Sequence, residues 1–324
     1  MFAHPDYVSL FARDQDTPIA VYAEEPGGFV LYPMILRPID SDLAAAAEGA
    51  SDLTSPYGYG GPFLSGTFGD AAGFWRAFDD WARTRKVVSE FVRFSLFDDQ
   101  LLAHPGARDE RLMNVVRDLT CDEAAMWADF DHKVRKNVNK ARREGVTIEI
   151  DPDGARLDEF LQIYTTTMDR RAASKGFYFG REFFERIVRT LRGQFVFVHA
   201  RHDNRVISTE LALVSARHVY SFLGGTDEAS FALRPNDLLK LELMLWAKQQ
   251  GRRAFVLGGG YAPEDGIFKY KRGFAPHGLV PYFIGTRVLD ADRYATLTAA
   301  HEHHGRARDA GWNPSPGFFP RYRA

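Results

Sequence analysis

The stretch Ala254–Phe274, AFVLGGGYAPEDGIFKYKRGF, decides the prediction of the fold. Its apolar start, Phe255–Leu257, is typical of a buried strand. Three glycines follow, Gly258–Gly260, and they predict a loop in which the backbone can bend or approach a ligand closely. Two carboxylates and the run Phe268–Arg272 complete the stretch. A strand end, a glycine loop and a cationic cluster in one short segment predict a site for chemistry on a charged substrate.

The composition excludes several classes of protein. The 324 residues suffice for about two domains. A net charge of -2 argues against a globally basic nucleic-acid-binding protein, so a site for a polyanion must come from a local patch. The single cysteine, Cys121, excludes an internal disulfide. No signal-peptide pattern opens the chain and no apolar run reaches the ~18 residues of a membrane span, so we expect a cytoplasmic protein.

The two halves of the chain repeat the same order of predicted elements. The first half has a hairpin at 19–36, a glycine-rich strand end at 55–61, a helix at 70–86 and a strand at 88–96. The second half has a hairpin at 194–214, a strand ending in glycines at 218–225, a helix at 235–250 and a strand at 254–257. This order predicts a duplicated α/β unit, and chance alternation of strands and helices is the alternative.

A single basic helix is predicted over Asp122–Gly145, with Gly145 at its C-cap. Its second half carries four candidate phosphate-binding side chains: Arg135, Lys136, Lys140 and Arg143. Positions 136, 140 and 143 form one stripe of a helix. Such a stripe could hold the phosphates of a tRNA acceptor end, a nucleotide sugar or coenzyme A, and a solvated helix face is the alternative.

An ordered series of short motifs resembles the FemAB-type branch of the GNAT acyltransferase superfamily. The series covers the chain from about Tyr32 to Phe283. It comprises Tyr57-Gly58-Tyr59-Gly60-Gly61-Pro62, Val92-Arg93-Phe94, Trp127, Val134–Val138, Ala141, Gly145-Val146, Tyr164, Met168, Arg171, Tyr178-Phe179, Gly224-Gly225, Pro235-Asn236, Gly258–Gly260, Gly266–Lys269 and Phe274.

The resemblance implies an α/β chain of two tandem GNAT-like domains with mixed central sheets. The N-terminal domain is expected at 1–121, which the segment 289–324 could complete, and the C-terminal domain at 122–288. The implied activity moves an aminoacyl group from aminoacyl-tRNA to an amine of a peptidoglycan precursor, a peptide or a natural-product intermediate. One alternative is an N-acyltransferase that uses acyl-CoA on an amino sugar or polysaccharide precursor. Another is a non-catalytic protein that binds an anionic ligand.

Candidate catalytic residues lie in the C-terminal part of the opening stretch. The Phe-Lys pair of the Fem ligases falls on Phe268-Lys269, and negative charge that develops during acyl transfer favours a fixed cation, so Lys269 is the first candidate. A solvated surface lysine is the alternative. Asp265, beside Glu264, is a candidate acceptor of the amine proton, although such a pair can instead cap a turn.

Candidate substrate-binding residues are spread over both halves. Tyr57 and Tyr59 lie two apart and would share a face of an extended segment, where they either line an acceptor pocket or pack in the core. The resemblance places Arg171, Lys175 and Tyr178 where related ligases contact acceptor phosphates. The remaining candidates are Arg93, Gly224, Gly225, Gly258, Gly259 and Gly260.

The expected donor is aminoacyl-tRNA, with acyl-CoA as the alternative and no tightly bound cofactor. No Gln/Arg-x-x-Gly-x-Gly/Ala run follows the predicted strand at 206–214, although a typical GNAT cradles the coenzyme A pyrophosphate with one. The glycines and Lys269 lack the spacing of a P-loop. His301, His303 and His304 have no partners at ligand spacing, so a solvated helix end is expected there and no metal site.

Overall fold

We describe a computed structural model of the chain that covers residues 1–39, 41–309 and 311–324, without the side chains of residues 41 and 44. The helices are α1 (Pro5–Leu10), α2 (Ala44–Ala47), α3 (Ala71–Thr84), α4 (Glu123–Asp129), α5 (His132–Arg143), α6 (Leu157–Arg170), α7 (Arg181–Thr190), α8 (Pro235–Gln249), α9 (Gly266–Arg272) and α10 (Ala291–Arg308). The strands are β1 (Thr17–Glu25), β2 (Gly28–Pro38), β3 (Ser51–Thr54), β4 (Phe63–Gly66), β5 (Val87–Arg93), β6 (Ala107–Asp118), β7 (Thr147–Asp151), β8 (Phe195–His202), β9 (Arg205–Val214), β10 (His218–Thr226), β11 (Ala254–Gly258) and β12 (Leu279–Val288).

The chain divides into two compact units. The N-terminal unit comprises residues 2–111 and 282–324, and the C-terminal unit comprises residues 112–281 together with Met1. The chain therefore changes unit within β6 and again within β12. The domain bounds expected from the sequence, 1–121 with 289–324 and 122–288, stay a prediction.

The N-terminal unit is built on a sheet of strand order β1-β2-β3-β5-β12, with β4 paired to β2. The β1–β2 and β2–β3 pairs are antiparallel, and α3 connects β3 to its parallel neighbour β5. The buried residues of α3 are Phe74, Trp75, Phe78 and Ala82, which form one stripe and pack with Tyr32 in the core.

The C-terminal unit repeats this connectivity in the strand order β6-β11-β10-β9-β8-β7. The β8–β9 and β9–β10 pairs are antiparallel, and α8 connects β10 to its parallel neighbour β11. In each unit, three antiparallel strands are thus followed by a crossover helix and by a strand parallel to the third of them. The predicted pair of α/β units with mixed sheets is confirmed.

The helix α8 supplies much of the core of the C-terminal unit. Leucine, methionine and alanine side chains are buried on more than one of its faces, from Leu238 to Ala247. Burying one such leucine or methionine side chain contributes about 1.5–3 kcal/mol, so packing holds this helix in place. Lys240 lies among these apolar residues and is only 5% exposed. A buried charge at this position needs a compensating partner.

The single helix predicted over 122–145 is wrong, because the chain forms α4 and α5 instead. Phe130 and Asp131 leave the helical conformation with ψ values of 142° and 144°. The Phe130 ring turns into the core, 5.5 Å from the ring of Phe274, and the Asp131 amide donates to the carbonyl of Gly273 at 2.9 Å. These tertiary contacts outweigh the continuous helical pattern.

Candidate functional site

The strands β10 and β11 separate at their carboxyl ends. Their parallel register runs from His218–Ala254 to Tyr220–Val256. Directly afterwards β10 has an irregular register against β9, between Ser221 and Leu223. Gly258 ends β11 with a φ of 84°, which favours glycine. We call the region where these two strand ends diverge the strand gap.

The glycine loop beside the strand gap is tightly packed at positions 259 and 260. A Cβ on Gly260 would lie 2.5 Å from Asp265 Oδ1, and one on Gly259 would lie 3.1 Å from the Met113 carbonyl oxygen. Glycine is therefore required for packing at 260 and favoured at 259. The predicted ligand contacts of Gly258, Gly259 and Gly260 stay a prediction.

Lys271 is the lysine that turns towards the glycine loop. Its Nζ donates to the carbonyl oxygen of Gly259 at 2.7 Å. Burial lowers the pKa of Lys271 to about 8, and the nearby charge of Lys240 lowers it further, while Glu210 and Asp265 oppose the shift. The ammonium of Lys271 is consequently a better proton donor near neutral pH than that of an ordinary lysine.

A buried ion pair lies at the strand gap next to Lys271. Lys240 Nζ pairs with Glu210 Oε2 and donates to Ser221 Oγ at 3.0 Å. Glu210 is 5% exposed, and its Oε1 is a buried oxygen without a hydrogen-bond partner among the described residues. An unsatisfied buried acceptor is costly, so a bound group that donates an N–H or O–H would stabilise this site.

Asp265 caps α9. Its carboxylate accepts from the backbone amides of Phe268 at 2.7 Å, Tyr261 at 2.6 Å and Ala262 at 3.1 Å. These amides, Phe268 first, lower the pKa of Asp265. Glu264 pairs with Arg272 at 2.9 Å. Asp265 therefore caps α9 and Glu264 forms an ion pair; acceptance of the amine proton by Asp265 stays a prediction, and its lowered pKa disfavours that role.

The predicted pair Phe268-Lys269 is divided between the interior and the surface. Phe268 is 5% exposed and belongs to the core of the C-terminal unit. Lys269 is exposed. The sequence pattern did not identify α9, so it could not tell which lysine of the run points inward. The geometry favours Lys271 for the cation that was predicted at Lys269.

The basic residues of α5 have different environments. Arg135 donates to the Ala128 carbonyl at 2.7 Å and to that of Phe130, so it caps the carboxyl end of α4. Lys136 and Arg143 are exposed and Lys140 is half-buried. Phosphate binding at Lys136, Lys140 and Arg143 stays a prediction, whereas the guanidinium of Arg135 is engaged in capping α4.

The candidate acceptor-binding segment lies close to the glycine loop. Arg171, Lys175 and Tyr178 are exposed and follow the end of α6. In the same segment the ring of Phe177 lies 6.0 Å from the ring of Tyr261, which directly follows Gly260. The structure thus brings this segment to the loop beside Lys271, and contact with acceptor phosphates stays a prediction.

Gly224 and Gly225 allow close packing around β10. A Cβ on Gly224 would lie 2.4 Å from the Thr209 carbonyl oxygen, and one on Gly225 would lie 2.3 Å from Thr167 Oγ1. The glycines therefore let β9 and α6 approach β10. Substrate contact by either residue stays a prediction.

Three predicted residues belong to the N-terminal unit. Tyr57 is 42% exposed and Tyr59 packs edge-on against Tyr282 at 5.8 Å. Gly58 between them has a φ of 107°, which interrupts the extended path that would place both rings on one face. Arg93 lies over the ring of Phe91 at 4.8 Å.

The histidine-containing segment forms part of α10. His301 Nε2 lies 2.9 Å from the Ala324 carbonyl oxygen, and its ring contacts Trp312 at 5.2 Å. Within residues 1–39, 41–309 and 311–324, no group of three or more His, Cys, Asp and Glu side chains is arranged to hold a metal ion. Over the same residues, no helix is long and apolar enough to cross a bilayer.

Comparison with known proteins first gives a match for part of the chain. Residues 128–272 match the family described as an acetyltransferase (GNAT) domain. This match contains the strand gap, the glycine loop and Lys271. The matched segment lies within the C-terminal unit, residues 112–281.

The relatives make the relationship more specific. The chain is 26% identical over 309 residues to the UDP-N-acetylmuramoylpentapeptide-lysine N(6)-alanyltransferase of Weissella viridescens, with 86% of this chain and 87% of that protein covered. The crystal structure of FemX has a TM-score of 0.67 at 11% identity, covering 90% of this chain and 92% of that one. L-PGS from Bacillus licheniformis has a TM-score of 0.55 at 13% identity, covering 87% and 88%. The chain has a FemX-like fold and is a distant homologue of a FemAB-type alanyltransferase, so the predicted resemblance is confirmed.

Sequence reasoning missed the buried charges of the site. Glu210 lies in the strand ISTELALV and Lys240 in the helix LLKLEL. A single charge enclosed by apolar residues in a strand or helix core is a signal of a paired or functional group, because unpaired burial of a charge is costly. That signal could have identified Glu210 and Lys240.

Proposed function

We propose that the protein is a FemAB-type aminoacyltransferase that moves an aminoacyl group from aminoacyl-tRNA to an amine, with the strand gap as its reaction site. The GNAT domain and the FemX-like fold support the class of reaction. The relative's name gives a lysine N6 amine of a UDP-N-acetylmuramoyl pentapeptide as acceptor. We propose a peptidoglycan precursor of this kind as the first acceptor to test.

The residues at the N-terminus of α8 favour aminoacyl-tRNA over acyl-CoA as the donor. Pro235 occupies the first turn and has no backbone N–H to offer an anion. Asp237 lies in the same turn, is buried, and accepts from Asn137 Nδ2 at 3.2 Å. Burial raises the pKa of Asp237 to about 6, so this carboxyl is mostly ionised at neutral pH. A coenzyme A pyrophosphate at this helix end would meet a carboxylate, which supports a donor without that group.

The reaction needs little covalent help from the protein, because an aminoacyl ester is already activated. The acceptor nitrogen forms a bond to the carbonyl carbon, the ester C–O bond breaks, and the proton lost by the amine ends on the leaving hydroxyl. Holding the two reactants in place can supply as much as about 7–11 kcal/mol of the barrier. We assign this positioning to the glycine loop and to Glu210, whose Oε1 accepts an N–H of the amine.

Lys271 supplies the positive charge in this proposal. Its ammonium lies at the glycine loop, where it can face the oxygen that becomes negative as the tetrahedral intermediate forms. Fixed donors aimed at such an oxygen are worth about 10²–10³ in rate. A pKa of about 8 also lets Lys271 pass a proton to the leaving oxygen more readily than an ordinary lysine.

A donor comparison tests the proposal. Purified protein is incubated with charged tRNA or with acetyl-CoA, and with UDP-N-acetylmuramoyl pentapeptide or a lysine-containing peptide as acceptor. We expect saturable transfer from charged tRNA and amide formation on the acceptor, detected by mass spectrometry. Saturable turnover of acetyl-CoA without transfer from any charged tRNA would overturn the proposed donor.

The pH dependence of transfer should report the titration of Lys271. Lys271 must be protonated to stabilise the oxyanion, so kcat should fall about tenfold per pH unit above pH 8. Lys240, Glu210 and Asp265 are the charged neighbours that set this value. An arginine at this position stays protonated throughout the assay range, so the alkaline limb of Lys271→Arg should be flat. An identical alkaline limb in both proteins, measured with the same acceptor, would assign the titration to another group.

A further inference from the structure

The N-terminal unit contains a cavity of about 380 Å³, and none of its lining residues belongs to the strand gap. Strand residues of β2, β3, β5 and β12 form one wall, and the segment Ser315–Pro320 forms another. The volume falls in the range of small-molecule sites, about 300–1,000 Å³. Four arginines line it: Arg37, Arg93, Arg111 and Arg323.

The charges around this arginine cavity do not balance. Asp52 is fully buried and binds two of the arginines, with 2.7 Å from its Oδ1 to Arg37 Nε and 2.6 Å from its Oδ2 to Arg323 Nε. Arg93 and Arg111 form no ion pair with a described residue, so these two guanidinium groups bring positive charge to the cavity without a carboxylate of their own. Of the described residues that line the cavity, none is a carboxylate. This excess favours an anionic ligand.

Arg93 is the arginine most in need of an anion. Its partners among the described residues are the Ser55 carbonyl oxygen, at 3.3 Å from its NH1, and the face of the Phe91 ring at 4.8 Å. Burial lowers the pKa of Arg93, which reflects the cost of keeping this charge away from water. Neither partner neutralises the charge. A bound anion would offset this cost.

The rest of the lining is apolar. Phe91, Ile284 and Phe318 face the cavity together with two prolines. Phe318 is 48% exposed, so part of this apolar surface is open to solvent. A ligand that fits both parts has an anionic group for the arginines and a planar or apolar group for Phe91 and Phe318.

We propose that the arginine cavity binds a phosphoryl group, as a phosphomonoester or diphosphate, carried on a planar or apolar moiety. A guanidinium presents a planar fork of donors that matches two phosphate oxygens at once. A dianionic phosphoryl group also offsets more of the excess charge than a carboxylate does. The proposal stands independently of aminoacyl transfer, because it depends on the N-terminal unit alone.

Isothermal titration calorimetry of the full chain tests it with phenyl phosphate as the probe. We expect saturable binding that weakens as salt rises, weaker binding of inorganic phosphate, and at least tenfold weaker binding of benzoate. Arg93→Gln and Arg111→Gln should each weaken phenyl phosphate about tenfold, which corresponds to about 1.4 kcal/mol. Phe318→Ala should weaken phenyl phosphate and leave inorganic phosphate unchanged.

The matched control is Arg83→Gln, which removes an exposed arginine of α3 that pairs with Asp80 at 2.7 Å. It should leave the affinity unchanged, and the melting temperature of every variant shows whether it is folded. Benzoate binding as tight as phenyl phosphate would overturn the phosphoryl assignment. Absence of saturable binding, or equal effects of Arg83→Gln and Arg93→Gln, would overturn the site. Because the readout is binding, neither outcome depends on whether the strand gap transfers aminoacyl groups.

Discussion

Replacing Lys271 with methionine should lower kcat for aminoacyl transfer by about 10²–10³-fold, or about 2.7–4 kcal/mol of transition-state stabilisation. Methionine keeps a long apolar stem but removes the ammonium that donates to the Gly259 carbonyl oxygen at 2.7 Å. The oxyanion would then form without its fixed positive charge. Single-turnover rates with saturating charged tRNA measure the effect on the chemical step.

The rate of Lys269→Met is the decisive comparison with that of Lys271→Met, because Lys269 is the cation that was predicted from the sequence. The two lysines lie two positions apart in α9, but Lys269 is exposed and Lys271 turns inward. We expect Lys269→Met to keep at least half of the wild-type rate. Lys133→Met, an exposed substitution on α5, controls for the loss of one positive charge. If Lys269→Met were inactive and Lys271→Met active, Lys269 would be the residue that supplies the positive charge to the oxyanion.

The order of elements was predictable because it follows from local patterns. The apolar spacing of Phe74, Trp75 and Phe78 identified α3, and Pro235 marked the start of α8. Repetition of a hairpin, strand, helix and strand then predicted two similar units. Each of these signals lies within about twenty residues of sequence, where helix and strand periodicity acts.

The pairing of distant strands was not predictable in the same way. β6 follows β5 in the chain but pairs with β11, and β12 follows β11 but pairs with β5. Such pairing depends on contacts between residues far apart in sequence, which no local pattern encodes. The inward direction of Lys271 likewise depends on where α9 begins, and Asp265 caps that helix by accepting from the backbone amide of Phe268 at 2.7 Å.

The buried pair Lys240–Glu210 should give the largest effect on stability. Lys240→Met leaves the carboxylate of Glu210 buried without its cation, and breaking a buried pair from one side costs about 3–5 kcal/mol. For a unit of the size of residues 112–281 we expect the melting temperature to fall by about 6–20 °C.

The double variant Glu210→Gln with Lys240→Met separates the ion pair from simple packing. Replacing both partners removes the uncompensated charge, so the double variant should recover more than half of the stability lost in Lys240→Met. Arg142→Met is the matched control, because it breaks the 2.9 Å pair with Glu242, which also lies on α8 but is partly exposed. That variant should cost no more than about 1 kcal/mol. A double variant no more stable than Lys240→Met would contradict this prediction. It would mean that the Lys240 side chain stabilises α8 by packing and not by pairing with a charge. Glu210 would then lose its assigned role as an acceptor at the strand gap.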